Sequence, residues 1–317
     1  MSNRYALIGA AGYVAPKHME AIRNTKGELI AAFDKSDSVG VLDNYFPYCS
    51  FFTEFERFDR FLEKERRKEN GIDYLSVCTP NYLHDAHCRL GLKAGANVIC
   101  EKPLVLNPWN IDALEKVERE CGKKIYNILQ LRLHPSIIKL KKEVDVSAQN
   151  QIFDVDLSYF TLRGKWYHIS WKGDESKSGG IATNIGIHFF DALTWTFGNV
   201  KKSIVHHRTA DFIAGYMELS KARVRWVLSI NEEYFPRSTN GQSFNTYRSM
   251  IVNNEEIEFS AGFEDLHTKS YQEILDGNGF GIDQVRTSIH TVHEIRNIHP
   301  AGLKGDYHPL AKKFVQK

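Results

Sequence analysis

The feature that most constrains the fold is the regular alternation of short apolar runs with helix-like segments over the first 130 residues. Five runs are apolar along most of their length: residues 5–8, 29–33, 72–78, 97–100 and 124–129. Strands that are apolar on both faces and alternate with helices are typical of a parallel sheet with helices on both sides. With right-handed crossovers, the pattern predicts a Rossmann-like, doubly wound α/β domain over residues 1–130.

The pattern changes after about residue 150. Residues 153–159 alternate strictly between apolar and polar, and residues 223–229 do so in part, as antiparallel strands with one covered face do. Helices are predicted near residues 181–197, 268–276 and 281–297. We therefore predict a second, α+β domain over residues 131–317, built on a mainly antiparallel open sheet.

Charge and hydropathy argue against two classes of partner. Lys plus Arg exceed Asp plus Glu by 41 − 39 = 2, which is too near neutrality for the phosphate neutralisation that nucleic-acid binding requires. No apolar stretch reaches the roughly 18 residues needed to cross a bilayer. We expect neither a nucleic acid nor a membrane as a partner.

Cysteine and histidine spacing argues against a disulfide framework and against a metal site. The five cysteines are odd in number and lack C-x-x-C spacing, which fits a reducing compartment and hence a cytoplasmic protein. The pairs His84/His87 and His290/His293 have i, i+3 spacing but no H-E-x-x-H motif or cysteine partner. We interpret them as surface or capping histidines and predict no metal.

A glycine-rich turn, G-A-A-G-Y-V-A at residues 9–15, lies between the first predicted strand and the first helix. Small residues there let the backbone approach a pyrophosphate at the helix N-terminus. Asp34 ends the second strand 22 residues after Gly12, where a carboxylate can bind a ribose diol and repel a 2′-phosphate. The pattern favours NAD over NADP, although Asp34 could also be a turn residue. The predicted cofactor contacts here are Gly9, Gly12, Tyr13, Val14 and Asp34.

Two further loops follow predicted parallel strands, at the sheet edge where cofactors bind. They carry Thr79-Pro80-Asn81-x-x-His84 and Glu101-Lys102-Pro103. This combination at this spacing resembles the Gfo/Idh/MocA family of sugar and polyol dehydrogenases. The resemblance covers nearly the whole chain and implies an NAD-dependent oxidoreductase of two domains. It implies cofactor contacts at Thr79, Pro80, Asn81, His84, Glu101 and Lys102.

The resemblance also implies the catalytic residues. In that family the E-K-P lysine lies beside the nicotinamide, and a histidine comes from the motif G-G-x-x-x-D-x-G-x-H-x-x-D. Residues 179–191 match this motif, except that Asn184 replaces its first aspartate. Lys102 and His188 are then the catalytic pair, with Asn184 orienting the imidazole without adding a charge. A histidine's ordinary pKa near about 6.5 favours His188 as the base, and Lys102 is the alternative.

Further stretches resemble one subgroup of the family, the UDP-N-acetylglucosaminuronate 3-dehydrogenases of the WlbA/WbpB type. They are residues 8–13, 127–132, 163–167, 247–249 and 263–271. This implies oxidation of the sugar C3 hydroxyl by NAD in lipopolysaccharide O-antigen synthesis, with 2-oxoglutarate reoxidising the cofactor. It adds Gln130 and Arg132 to the cofactor contacts. A homo-oligomer, dimer or tetramer, is expected by analogy with the family.

A UDP-uronate carries a diphosphate and a carboxylate, so its pocket requires fixed cations. Arg163, Lys165 and Lys172 precede the predicted catalytic helix, among aromatic residues that can stack on uracil or on a sugar face. The alternative interpretation is a solvated basic loop. The full set of predicted substrate contacts is Lys102, Arg163, Lys165, Tyr167, Lys172, Thr183, Asn184 and His188.

Two other functions stay open at this point. One is a dehydrogenase of a different sugar or polyol, of the inositol or hexose type, that uses the same Lys102 and His188. The other is a non-enzymatic NAD-binding sensor, which requires cofactor binding but no proton relay. The presence of both Lys102 and His188 favours an enzyme.

Overall fold

The computed structural model describes residues 2–68, 70–235, 245–259 and 262–315. The chain divides into two compact units. Unit 1 runs to Gln130 and includes Asp265–Arg286, and unit 2 comprises Leu131–Glu264 and the chain from Thr287. The sequence had assigned residues 265–286 to the second domain, whereas the structure groups them with the first.

The helices vary from one turn to four or five turns. In chain order they are α1 (Ala15–Asn24), α2 (Leu42–Tyr45), α3 (Phe55–Arg67), α4 (His84–Lys93), α5 (Pro108–Cys121), α6 (Pro135–Val146), α7 (Lys165–Ile169), α8 (Glu175–Ser178), α9 (Ile187–Phe197), α10 (Leu266–Leu275), α11 (Ile282–Asn297) and α12 (Pro309–Val315). Short 3₁₀ turns lie at Asn81–Leu83, Gln130–Leu133 and Glu232–Tyr234, and a π-helical turn lies at Ala182–Gly186. Within the described ranges, each helix is too short or too polar to cross a membrane.

Unit 1 contains a parallel sheet whose strand order is that of a Rossmann fold. Its strands are β1 (Arg4–Ile8), β2 (Glu28–Phe33), β3 (Ser50–Phe52), β4 (Tyr74–Val77), β5 (Asn97–Cys100) and β6 (Ile125–Asn127). They are all parallel and lie in the order β3-β2-β1-β4-β5-β6. Successive strands are added on one side of β1 as far as β3 and on its other side from β4 onward, as in a Rossmann fold. Residues 5–8 of β1 are fully buried, because helices cover both faces of the sheet. The predicted fold of this part is confirmed.

Residues 265–286 belong to unit 1 because they contact residues that are distant from them in the sequence. Tyr271 of α10 is fully buried, and its hydroxyl lies 2.8 Å from Nδ1 of His18 on α1. Beyond α10, the carbonyl of Phe280 accepts a hydrogen bond of 2.9 Å from the backbone N–H of Asn127 in β6. Helix periodicity locates α10 in the sequence, but it cannot indicate which sheet the helix packs against.

Unit 2 is built on a second six-stranded sheet. Its strands are β7 (Phe153–Thr161), β8 (Val200–Arg208), β9 (Phe212–Leu219), β10 (Ala222–Ser229), β11 (Thr246–Val252) and β12 (Glu255–Ile257). The order is β12-β11-β7-β10-β9-β8, and the pairs are antiparallel except for the parallel pair β7 and β10. The predicted mainly antiparallel sheet is therefore confirmed. Helix α9 packs on it, with the rings of Phe190 and Trp226 5.1 Å apart.

Candidate functional site

The glycine-rich turn of unit 1 forms a narrow backbone cradle beside the end of β4. Gly9 has a φ of +94°, and a Cβ atom there would lie 2.7–2.8 Å from backbone atoms of Cys78 and Thr79. A Cβ at Gly12 would lie 3.0 Å from the carbonyl oxygen of Gly9. Only glycine fits the first position, and the cradle has the close backbone approach that a dinucleotide pyrophosphate requires.

The side chains that complete this turn differ in exposure. Tyr13 is 98% exposed, whereas Val14 packs against the core of unit 1. Asp34 accepts hydrogen bonds from the backbone N–H groups of Ala11 (2.9 Å) and Ser36 (3.0 Å). Asp34 therefore has the role of a turn residue, which was one of the two alternatives that the sequence offered. Its carboxylate is at the same time held against the glycine cradle. These residues fit an adenosine ribose at the end of β2.

We predict that Asp34→Ala lowers the ratio of NAD affinity to NADP affinity by about tenfold to hundredfold, because charged hydrogen bonds to the ribose and repulsion of a 2′-phosphate are both lost. Titration of each cofactor into the purified variant measures the ratio. Asp37→Ala is the matched control, since Asp37 is an exposed carboxylate three residues away. A wild-type protein that prefers NADP would contradict the assignment.

The two loops after β4 and β5 are held together by buried side chains. His84 is fully buried between the carbonyl oxygens of Thr79 and Pro103, each 2.7 Å from a ring nitrogen. Burial lowers the pKa of His84, although these two acceptors partly offset the effect. Asn127 donates to the carbonyl oxygens of Cys100 (2.8 Å) and Glu101 (3.0 Å). Pro80 lies between the loop residues Thr79 and Asn81, and Asn81 is itself buried.

The His84/His87 pair, which the sequence indicated as surface or capping histidines, is buried rather than exposed. His87 is 9% exposed, and its Nδ1 lies 2.9 Å from the Thr79 hydroxyl. Both histidines lie on the face of α4 that packs against the sheet, so they organise the loop after β4. Burial lowers the pKa of His87 to about 4, so the ring is neutral at physiological pH.

Glu101 is the centre of a buried hydrogen-bond network that the sequence did not predict. Its Oε1 accepts from Nε2 of His18 (3.0 Å) and from Nε2 of His267 (2.9 Å), and its Oε2 accepts from the backbone N–H of Lys102 (3.2 Å). Because His18 Nε2 donates to the carboxylate, its Nδ1 accepts from the hydroxyl of Tyr271, which is 2.7 Å from Ser76 Oγ. The network thus anchors the residue that precedes Lys102.

Two of these residues had a signal in the sequence. His267 and Tyr271 are four apart on one face of α10, inside the stretch 263–271 that resembles the dehydrogenase subgroup. Nothing in the sequence connected that stretch with α1 or with the E-K-P loop, because they are distant along the chain. The structure brings them together in unit 1.

His18, Glu101 and His267 place their ligand atoms within 4.8 Å of one another, which is a donor set that can bind a metal ion. In this structure the protons of both imidazoles already satisfy the Glu101 oxygen, and a metal would have to displace them. The arrangement is explained as a hydrogen-bond network. The absence of a metal site stays a prediction.

The network makes unit 1 sensitive to acid. Burial raises the pKa of Glu101, but the hydrogen bonds from His18 and His267 outweigh it and hold the pKa well below its usual range. Burial also lowers the pKa of His18. Both folded-state pKa values lie below the unfolded ones, about 4.3 and 6.5, so the stability they contribute is present above those values and is lost as pH falls through the folded values.

We predict that Glu101→Gln lowers the free energy of unfolding by about 1.5–3 kcal/mol at pH 7, and by less below about pH 4, where the unfolded carboxylate is protonated. Urea unfolding at pH 7 and at pH 3.5 measures both differences. Glu56→Gln, at an exposed position of α3, is the control and should change neither. An equal loss at both pH values would show that the charge of Glu101 is not the cause.

In unit 2, the first residues after Gln130 are hydrogen-bonded to α9. Arg132 lies in the 3₁₀ turn that begins at Gln130, and its guanidinium donates two hydrogen bonds to Asp191 (2.9 and 2.7 Å). Both side chains are almost fully buried, at 4% and 2% exposure. Asp191 is the last residue of the histidine motif, so this pair anchors the helix that carries His188. Cofactor binding by Gln130 and Arg132 stays a prediction.

The helix that carries the histidine motif begins with a π turn, Ala182–Gly186, before α9 starts at Ile187. Such turns widen the helix and are frequent at functional sites. Asn184 therefore does not follow α-helical spacing to His188, and its amide donates a hydrogen bond of 3.0 Å to the hydroxyl of Tyr167. Thr183 is fully buried, and its hydroxyl has no hydrogen-bond partner among the residues described.

The basic loop before this helix divides into exposed and half-buried parts. Arg163 and Lys165 are exposed, whereas Tyr167 is 2% exposed. The ammonium group of Lys172 lies over the rings of Trp166 (4.7 Å) and Trp171 (5.7 Å). Burial lowers the pKa of Lys172, and the nearby charge of Arg163 lowers it further. The loop is thus more than a solvated basic segment, because part of its charge is desolvated.

The strand order of unit 1, its glycine cradle and its Asp34 define a dinucleotide-binding protein of the Rossmann class. The chain belongs to the Gfo/Idh/MocA oxidoreductase family. Residues 3–128 match the family's NAD-binding Rossmann fold, and residues 150–244 match its C-terminal alpha/beta domain. The family predicted from the sequence is confirmed.

Solved structures similar to this chain include the WlbA (WbpB) dehydrogenase of Thermus thermophilus. In complex with NAD and alpha-ketoglutarate it is 47% identical, with 97% of this chain and 99% of that chain covered and a TM-score of 0.93. In complex with NAD and UDP-GlcNAcA it is 46% identical, with the same coverage and TM-score. The WlbA dehydrogenase of Bordetella pertussis is 18% identical, covers 96% of this chain and 98% of its own, and with a TM-score of 0.76 shares the fold.

Curated relatives match shorter regions. The D-glucoside 3-dehydrogenase of Escherichia coli (strain K12) is 28% identical over 126 residues, which are 40% of this chain and 36% of that protein. The matched regions span 36–41% of the length of the first three such relatives. These partial matches agree with the family assignment.

Proposed function

We propose that the protein oxidises the C3 hydroxyl of UDP-N-acetylglucosaminuronic acid to the 3-keto sugar, with NAD as oxidant, in bacterial lipopolysaccharide O-antigen synthesis. The observation that carries this proposal is the 46% identity, over 97% of the chain, with a dehydrogenase solved in complex with NAD and UDP-GlcNAcA. The desolvated cation Lys172 near the histidine motif is consistent with an anionic substrate. Cytoplasmic location is part of the proposal, and the five free cysteines are consistent with it.

The chemistry divides between the cofactor and the side chains. NAD, when bound, accepts the hydride from C3, and 2-oxoglutarate is the proposed oxidant that restores it. His188 takes the proton of the C3 hydroxyl, so that the C–H electron pair leaves as hydride and the O–H pair forms the carbonyl. Lys102 binds the same oxygen and polarises it, and it is the alternative base.

Each unit contributes its own set of predicted binding residues. In unit 1, the glycine cradle and Asp34 would hold the pyrophosphate and the ribose, and the loops after β4 and β5 would line the nicotinamide end. In unit 2, Arg163, Lys165 and Lys172 would bind the anionic groups of the substrate. Tyr167 positions Asn184 through their hydrogen bond, and Thr183 offers a buried hydroxyl. A dimer or tetramer is proposed by analogy with the family.

The experiment compares turnover of UDP-N-acetylglucosaminuronate, UDP-N-acetylglucosamine and myo-inositol, with 2-oxoglutarate present to reoxidise the cofactor. We expect the uronate to react best. The kcat/KM of the neutral nucleotide sugar should be about tenfold to hundredfold lower, because one charge-assisted hydrogen bond is lost. Product formation measures the rate with 2-oxoglutarate present, and absorbance of the reduced nicotinamide measures it in single turnovers without 2-oxoglutarate.

Each other outcome points to a different function. Equal kcat/KM for the neutral nucleotide sugar would remove the carboxylate from the proposal, and preferred turnover of inositol would remove the nucleotide. NAD binding without reduction by any sugar would favour the sensor.

A further inference from the structure

The buried network around Glu101 extends well beyond the loop that it holds. It begins at Ser76 on β4, passes through Tyr271 on α10 and His18 on α1, and ends at the Glu101 carboxylate. Ser76, Tyr271 and His18 are fully buried, whereas the side chain of His267, which contacts Glu101 from α10, is 14% exposed. Three separate elements of unit 1 are therefore connected to one carboxylate at the start of the E-K-P loop.

The Glu101 carboxylate uses both of its oxygen atoms in this arrangement. Oε1 accepts from the imidazoles of His18 and His267 at 3.0 and 2.9 Å, and Oε2 accepts from the backbone N–H of Lys102 at 3.2 Å. The bond to Lys102 is the longest of the three and lies at the upper end of the ordinary range for N–H donors. A small rotation of the carboxylate would therefore break it, and the two imidazoles on Oε1 oppose that rotation.

The backbone on both sides of Lys102 is held as well. The carbonyl oxygen of Glu101 accepts from the Asn127 amide at 3.0 Å, and that of Pro103 lies 2.7 Å from Nδ1 of His84. A lysine side chain is long and flexible, so fixing its backbone limits the space that its ammonium group can sample. These hydrogen bonds together fix the N–H of Lys102 and the carbonyl groups of the residues on either side.

Packing alone does not explain why this buried group carries a charge. The hydrogen bonds of Glu101 hold its pKa well below its usual range, so the carboxylate is ionised at neutral pH although it is buried. Apolar side chains of similar volume often stabilise a protein as well as a complete buried charged network does. The charge is better explained by the group that it orients, which is the backbone of Lys102.

We propose that His18 and His267 are positioning residues of the oxidation, which act through the Glu101 carboxylate to hold Lys102 at the reacting oxygen. The inference rests on the proposed function, in which Lys102 binds and polarises the C3 oxygen. It extends the catalytic arrangement to α1 and α10, which carry these histidines. A displacement of about 1 Å in a positioned group can lower a rate by about a hundredfold, so residues that only orient Lys102 can strongly affect turnover.

The test compares His267→Leu and His267→Ala, which remove the N–H donor, with His267→Gln, whose amide nitrogen can take the place of Nε2. We expect the first two to lower the single-turnover rate of NAD reduction by the uronate about tenfold to hundredfold, with little change in the affinity for NAD or the sugar. His267→Gln should retain most of the rate. Thr268→Val is the matched control, because the Thr268 hydroxyl joins α10 to α1 through Asn24 rather than through Glu101.

A double-mutant cycle with Lys102→Met separates positioning from a general effect on the fold. If His267 acts through Lys102, His267→Leu should not lower the rate further once residue 102 is methionine, whereas a purely structural role would lower it by the same factor in both backgrounds. The backbone amide of Lys102 gives a second readout that requires no turnover. In His267→Leu with NAD bound and no sugar present, its proton resonance should move upfield, because the hydrogen bond to the charged acceptor is weakened.

Melting temperature and NAD affinity verify that each variant is folded. An unchanged rate in His267→Leu, an equal loss in both backgrounds, or a Lys102 amide resonance that does not move would overturn the inference and leave the proposed function intact. A normal rate in Lys102→Met would overturn both the catalytic pair and the inference. A wild type that does not oxidise the uronate would overturn the proposed substrate alone, because the amide resonance still tests the connection from His267 to Lys102.

Discussion

Replacing His188 by asparagine or Lys102 by methionine is expected to lower kcat by about 10²–10⁴-fold each, because the reaction loses its general base or the cation that polarises the reacting oxygen. His188 follows the π turn whose Asn184 is hydrogen-bonded to Tyr167, and Lys102 follows Glu101, which three hydrogen bonds fix. Steady-state turnover of the uronate and single-turnover reduction of NAD measure the loss.

The pH dependence separates the two roles. If His188 is the base, the acid limb of kcat disappears in His188→Asn and persists in Lys102→Met. His290→Asn and Lys116→Met are matched controls, since both side chains are exposed. Near-normal turnover in both catalytic variants, with folding and NAD affinity intact, would exclude the pair. A loss confined to Lys102→Met would assign the base to lysine.

Replacing Asp191 by alanine is expected to lower the free energy of unfolding by about 3–5 kcal/mol, because the guanidinium of Arg132 then stays buried without that carboxylate. The two hydrogen bonds of this pair, 2.7 and 2.9 Å long, are almost fully removed from water. Urea unfolding followed by tryptophan fluorescence measures the change. Turnover should fall as well, because Asp191 anchors the helix of His188.

The surface pair Asp154–Arg223 is the matched control. Its atoms are also 2.9 Å apart, but its side chains are more than half exposed, so Asp154→Ala should cost at most about 1 kcal/mol. The double variant Arg132→Met, Asp191→Leu should recover much of the lost stability, because it removes both charges together. If it is no more stable than Asp191→Ala, lost packing rather than the buried charge is the cause.

Much of the local structure could be predicted because its causes are local. The apolar run at residues 5–8 became β1, the alternating run at 153–159 became part of β7, and the predicted helix at 281–297 became α11. The glycine turn and Asp34 were predicted together, and a hydrogen bond of 2.9 Å from Ala11 joins them. In each case side-chain period or backbone sterics acts within a few residues.

The errors arose where distant segments meet. Residues 265–286 were assigned to the wrong unit, because periodicity finds a helix without indicating its partner. His84 and His87 were interpreted as surface or capping histidines, and both are buried, which spacing alone does not report. The helix of the histidine motif begins with a π turn at Ala182–Gly186, which the sequence pattern did not indicate.

The sequence by itself determined the class of each unit, the position of the cofactor turn and the residues that could carry out the chemistry. These depend on turn geometry, side-chain period and motif spacing, and each of these is determined by residues that are close together in the sequence. Only the tertiary structure decided that His18 and His267 hold Glu101, that Asp191 neutralises Arg132, and that Arg208 and Arg296 share a cavity with Lys172. Those contacts join residues up to 166 positions apart, and they exist because burial brings such groups together and penalises any charge left without a partner.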